Sequence, residues 1–164
     1  MTSLFAFLHH IAAFTLFAAL VVEVILIREV LTVGTARRLQ VADMVFGMSA
    51  GVLIVVGLLR VFYFEKGAYY YFHTWTFVAK LALFLIVGLV SIAPTLEFLS
   101  WRTAVKQGQA PSVSPEKLRA LRSIMHWELA GVVVIILMAA LMAKGVGLLL
   151  WSALATSLLH SQAE

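Results

Sequence analysis

Residues 75–99 read WTFVAKLALFLIVGLVSIAPTLEFL, a run that at about 1.5 Å rise per residue crosses a hydrocarbon core of about 30 Å with some tilt to spare. An apolar run of that length with so few charges reads as a membrane span, and it decides the fold class. Three more such stretches lie at residues 4–27, 39–62 and 120–143. Together they predict an all-α integral membrane protein, a four-helix bundle forming a single transmembrane domain over residues 1–164. Composition agrees without any window: 63% of residues are hydrophobic, 12% are charged and mean hydropathy is +1.02. The first stretch is expected to be retained as a span, because no basic segment precedes it and its apolar run is too long for a signal peptide.

The chain has no cysteine, which excludes disulfides, thiolate metal sites and haem attachment through Cys-x-x-Cys-His. Any cofactor must be held by His, Met, Lys or carboxylates. The basic residues give the orientation. Arg28, Arg37 and Arg38 sit in or beside the first loop, and Arg102, Lys106, Lys117, Arg119 and Arg122 in or beside the third. The second loop and the tails carry few, so the positive-inside rule places the first and third loops in the cytoplasm and both termini outside. A net charge of +4 then reflects anchoring to the cytoplasmic leaflet; no hydrophilic surface is left for nucleic acid. In the third loop, Ser114, Pro115 and Glu116 form a helix start. The segment 146–160 is apolar but short, and is expected to lie as a C-terminal interfacial helix with Trp151 at the headgroups.

Ionisable residues inside the spans carry the functional signal, because charge is expensive at that depth. They sort into two layers. His9, His10, Arg60, His73 and Lys80 lie near the outer face; Glu23, Asp43, His126 and Glu128 lie near the inner face. The outer layer has what a b-type haem requires: iron ligated through His10 or His73, an arginine for a propionate, and an apolar interior for the macrocycle. For each histidine alone, the competing reading is an interfacial side chain capping a helix or meeting headgroups. Lys80 is expected to have a partner, an acidic group or a ligand carboxylate.

The inner layer reads either as ion pairs with Arg28, Arg38 or Arg122, as a proton relay, or as a metal site. His126 and Glu128 are two residues apart, about 200° around a helix, which disfavours a shared ligand. Glu128 is expected inside the bundle, paired with Arg28 or sharing a proton with Glu23. Gly47 and Gly51 form a GxxxG pair that lets another helix approach closely and offers a homo-oligomer contact. Pro94 is expected to kink the third span, and the aromatics from Tyr63 to Trp75 to form an interfacial belt. No Ser, His and acid constellation supports a nucleophilic site.

FLHHIAAF, KLALFLIVGLVSIAPTLEFLSWR and LMAKGVG resemble the bacterial four-span membrane proteins grouped as domain of unknown function 2214, with SIAPTLEFLSWR the most specific part. That resemblance covers nearly the whole chain and implies a multi-pass protein of the bacterial inner membrane; it brings no activity with it. More loosely, the chain is similar to the small four-span membrane protoporphyrinogen oxidases, in which an early His and a Lys in the third span are the functional pair and haem b is bound. His10, or His9, and Lys80 match those two positions. Two functions are therefore expected: a haem or porphyrin-related redox role, or a non-enzymatic transporter or accessory subunit whose buried acids pair or relay protons.

Overall fold

The computed structural model describes residues 2–64 and 75–144. Four long helices account for nearly all of them: α1 (Thr2–Leu26), α2 (Val33–Leu59), α3 (Trp75–Ser100) and α5 (Pro115–Ala143), with a short α4 (Arg102–Lys106) between the last two. A π-helical turn, Arg60–Phe64, extends α2. No strand occurs among the described residues. Each long helix is long and apolar enough to span a bilayer. His73, the aromatic run 69–72 and the segment 146–160 lie outside the described residues.

Local chemistry explains the helix starts. Ser114 accepts from the backbone N–H of Lys117, and Pro115 takes the first turn, where its missing N–H costs nothing. Thr32 caps α2 in the same way, accepting from Thr35 N at 3.1 Å. That cap starts α2 at Val33, six residues before the span read from hydropathy, because a helix begins at its cap and not where apolarity begins. Arg37 and Arg38 therefore stand on the helix and not in a loop. α3 continues through Pro94, whose ring is fully buried.

The helices pack as two hairpins, α1 against α2 and α3 against α5, joined by slighter α1–α5 and α2–α3 contacts. Each helix turns one stripe inward at helical spacing, for example Leu121, Met125, Glu128 and Val132 on α5. The opposite faces are apolar as well: Phe14 is 69% exposed and Leu89 68%. Such surface suits lipid tails and would drive a soluble protein to aggregate.

The interior divides into levels. An inner core of Val24, Ile27, Ala36, Leu39, Phe98, Trp101, Leu121 and Met125 lies at the end that carries the first and third loops. A middle core of Leu16, Leu20, Phe46, Val87 and Val132 lies above it. One close approach joins α3 to α5: a β-carbon built on Gly131 would fall 2.6 Å from Val87 Cγ2. Only glycine fits there without displacing a buried, stiff side chain. By contrast Gly47 and Gly51 are exposed, with nothing within 4 Å of a built β-carbon, so the GxxxG face is not used inside the bundle.

Candidate functional site

Between the two cores lies a polar layer to which every long helix contributes. On α1 the step from Leu20 to Val24 passes Glu23; on α2 the step from Leu39 to Phe46 passes Asp43; on α5 the step from Met125 to Val132 passes Glu128. Each acid occupies an inward position that the stripe would otherwise give to an apolar residue. Exposure is 2% for Glu23, 8% for Asp43 and 2% for Glu128. The three carboxyl groups lie within electrostatic reach of one another.

The layer's hydrogen bonding is incomplete. Thr95 Oγ1 on α3 donates to Asp43 Oδ1 at 2.6 Å. Glu23 Oε1 and Glu128 Oε1 are buried without a hydrogen-bond partner. Buried polar atoms left this way are uncommon and mark strain, exchange or function. No metal-holding group of three or more His, Asp or Glu residues occurs among the described residues.

Two of the arginines expected to neutralise these acids, Arg28 and Arg122, are engaged elsewhere. Arg28 Nη2 donates to His126 Nε2 at 2.6 Å, and His126 Nδ1 donates to the Arg122 carbonyl at 2.5 Å. Arg122 Nε donates to the Ile27 carbonyl at 3.0 Å, which satisfies an acceptor left open by the end of α1. So Arg122 and His126, one turn apart on α5, grip the end of α1. The expected ion pairs of the inner acids with Arg28, Arg38 or Arg122 are not formed, because the arginines lie at the rim while the acids lie a turn deeper. Glu128 points into the bundle and His126 is exposed, as their two-residue spacing requires.

A groove of about 300 Å³ between α2 and α3 leads to Asp43. Gln40, Gly47, Thr95 and Arg102 line it, with Met44 and Met48 on its outer side. The groove exists because the α2–α3 contact is the slighter one, and it opens the acid layer to its surroundings.

The segment SIAPTLEFLSWR builds the wall beside this groove. Thr95 reaches Asp43, and the Phe98 carbonyl accepts from Gln40 Nε2 at 2.8 Å. Phe98 packs on Trp101 with ring centroids 4.9 Å apart. Glu97 accepts from Trp101 Nε1 at 3.0 Å and pairs with Lys117 at 2.5 Å, which ties the end of α3 to the start of α5. Sequence reading singled out this segment but not Thr95 or Gln40. Thr95 could have been found from register, since it lies beside Pro94 and one turn before Phe98 on the inward side of α3.

The outer layer is arranged differently from the expectation. His10 is exposed, and its Nδ1 donates to the Ala6 carbonyl at 2.6 Å within its own helix. His9 is the inward one: a β-carbon on Gly57 would lie 3.5 Å from His9 Cε1. The reason is the 100° step between neighbours on a helix, which sends only one of two adjacent histidines toward α2. Lys80 is half-buried, its Nζ 5.4 Å from the Phe77 ring centroid, and Arg60 begins the π-helical turn.

Residues 1–147, and with them all four long helices, match the family described as "Predicted membrane protein (DUF2214)". No curated protein and no solved structure matches the chain. The family match carries no activity, and the looser likeness to the protoporphyrinogen oxidases gains nothing from it. With four apolar helices of spanning length and a match over most of its residues, the chain belongs to the predicted membrane protein family DUF2214.

Proposed function

We propose that this protein handles protons in the membrane, as a small transporter or an accessory subunit of one, with Glu23, Asp43 and Glu128 as the exchanging groups. The observation that carries the reading is the acid layer: three carboxyl groups from three spans meet at one level, without a basic partner among the described residues, beside a groove that reaches Asp43. Ionisable residues inside a bundle are retained mainly where they pass ions or protons. Thr95 would position Asp43 by its hydrogen bond, and Glu23 and Glu128 would receive or return the proton deeper in the bundle. With both termini outside, the layer lies toward the cytoplasmic face of a bacterial inner membrane.

The test is proton flux into liposomes containing the full chain, read with a trapped pH-sensitive dye under an imposed membrane potential. The wild type is expected to pass protons, and Asp43→Asn and Glu128→Gln to reduce the flux at least tenfold while the protein stays helical and monodisperse. Equal flux in protein-free, wild-type and variant liposomes would remove the proposal.

A second reading, haem b at the outer end, has one observation in its favour: His9 is turned inward against Gly57 on α2, three residues before Arg60. The fit is partial, since His10 faces outward with Nδ1 already engaged. His9 would offer the iron an imidazole nitrogen, and Arg60 would meet a propionate; bound haem would supply one-electron chemistry. A Soret band in protein purified from haem-replete cells, lost in His9→Ala, is the expected sign. A colourless preparation leaves the proton reading alone.

A further inference from the structure

A second groove, of about 690 Å³, runs along the outer face of the α1–α2 hairpin. Small residues make it: Ala18 and Ala19 on α1 and Gly34 and Ala42 on α2 leave a channel that larger side chains would fill. Val22, Leu26, Val41 and Val45 supply apolar walls. At its loop end stand Arg37 and Arg38, both exposed. No acidic side chain lines the groove, and among the described residues neither guanidinium has a hydrogen-bond or ion-pair partner.

We infer that this groove seats one acyl chain of an anionic phospholipid, with its phosphate held by Arg37 and Arg38. Length supports the assignment. From Leu26 to Thr15 on α1, and from Gly34 to Val45 on α2, the groove extends roughly 16 Å at about 1.5 Å per residue. Half of a hydrocarbon core of about 30 Å is about 15 Å. The groove therefore runs from the headgroup level to the bilayer midplane and stops, the reach of a chain in a single leaflet. Charge supports it as well: two unpartnered guanidinium groups over an apolar slot complement a phosphodiester above its tail. The leaflet concerned is the one beside the first loop, where basic residues meet anionic lipid. The inference does not depend on proton transfer through the acid layer.

The full chain is reconstituted in vesicles of equal phosphatidylglycerol and phosphatidylcholine, and lipid retained after mild extraction is identified by native mass spectrometry. Phosphatidylglycerol is expected over phosphatidylcholine by roughly thirtyfold, the scale for two arginines near a membrane surface. Arg37→Gln with Arg38→Gln should bring the ratio close to one, whereas the paired Lys substitutions should keep most of it. Ala18 is exposed, so Ala18→Phe fills the groove without entering the core and should lower total retained lipid with both arginines intact. A wild-type ratio near one, or a preference that survives the paired Gln substitutions, overturns the headgroup assignment. Unchanged lipid retention in Ala18→Phe overturns the seat of the acyl chain.

Discussion

Arg28, two residues beyond α1, and His126 on α5 are joined by a 2.6 Å hydrogen bond that spans 98 residues of sequence. This contact holds the arginine at the rim of the bundle, away from the acids that lie a turn deeper. His126→Ala is expected to lower stability by about 1 kcal/mol, the range of an exposed bond to a charged donor. His126→Gln, which keeps an acceptor, should recover most of it. Thermal unfolding in detergent measures both, and an unchanged midpoint in the alanine variant would show that the contact is energetically idle.

Glu128 separates function from fold. It sits in a stripe whose other members are Leu121, Met125 and Val132, so Glu128→Leu completes an apolar seam. Replacing buried ionisable groups by apolar residues of similar volume is often neutral or stabilising by about 1–4 kcal/mol. The expected result is a protein as stable as the wild type or more so, with proton flux lost. A drop of several kcal/mol would instead make Glu128 a structural residue.

Among the described residues, Thr95 and Asp43 form the one hydrogen bond that crosses from α3 to the acid layer. Thr95→Val removes the donor at nearly constant shape and leaves Asp43 Oδ1 unsatisfied, at about 1–3 kcal/mol. In a double-mutant cycle with Asp43→Leu, which removes the acceptor, the combined loss should fall short of the sum of the single losses, because both variants break the same bond. Strict additivity in denaturation measurements would rule out the coupling.

At Gly131 two effects of opposite sign compete. Alanine gains about 1 kcal/mol of helix propensity, whereas a methyl group 2.6 Å from Val87 Cγ2 overpacks the α3–α5 contact at about 1–3 kcal/mol. Overpacking wins on these magnitudes, so Gly131→Ala should be destabilised. Combining it with Val87→Ala should recover part of the loss, which unfolding of the four proteins of the cycle would reveal.

The exposed pair Gly47 and Gly51 leaves an open helix face, on which the GxxxG spacing predicts a homo-oligomer contact. Cross-linking in liposomes should give a dimer band in the wild type that Gly47→Leu abolishes, with no change in the unfolding temperature of the monomer in detergent. A dimer yield unaffected by Gly47→Leu would place any self-contact elsewhere.

By itself the sequence determined the membrane class, the four spans, the helix start at Ser114 and the presence of ionisable residues at two depths. These follow from local quantities: the length of an apolar run, a capping residue, and the position of a charge within a span. It also led to the expectation of Glu23, Asp43, His126 and Glu128 at one depth near the inner face, since alternating helices bring similar depths level; of these, His126 is exposed at the rim. Only the tertiary structure decided which charges meet. Arg28, His126 and the acids share a depth to within a turn or two, and the choice of partner rests on helix rotation and packing that depth does not encode. The same holds for His9 over His10, and for Gly131 rather than Gly47 at a helix contact. In each case neighbours 100° apart around a helix are equivalent to a hydropathy pattern that is apolar on every side. The helix that packs against them tells them apart.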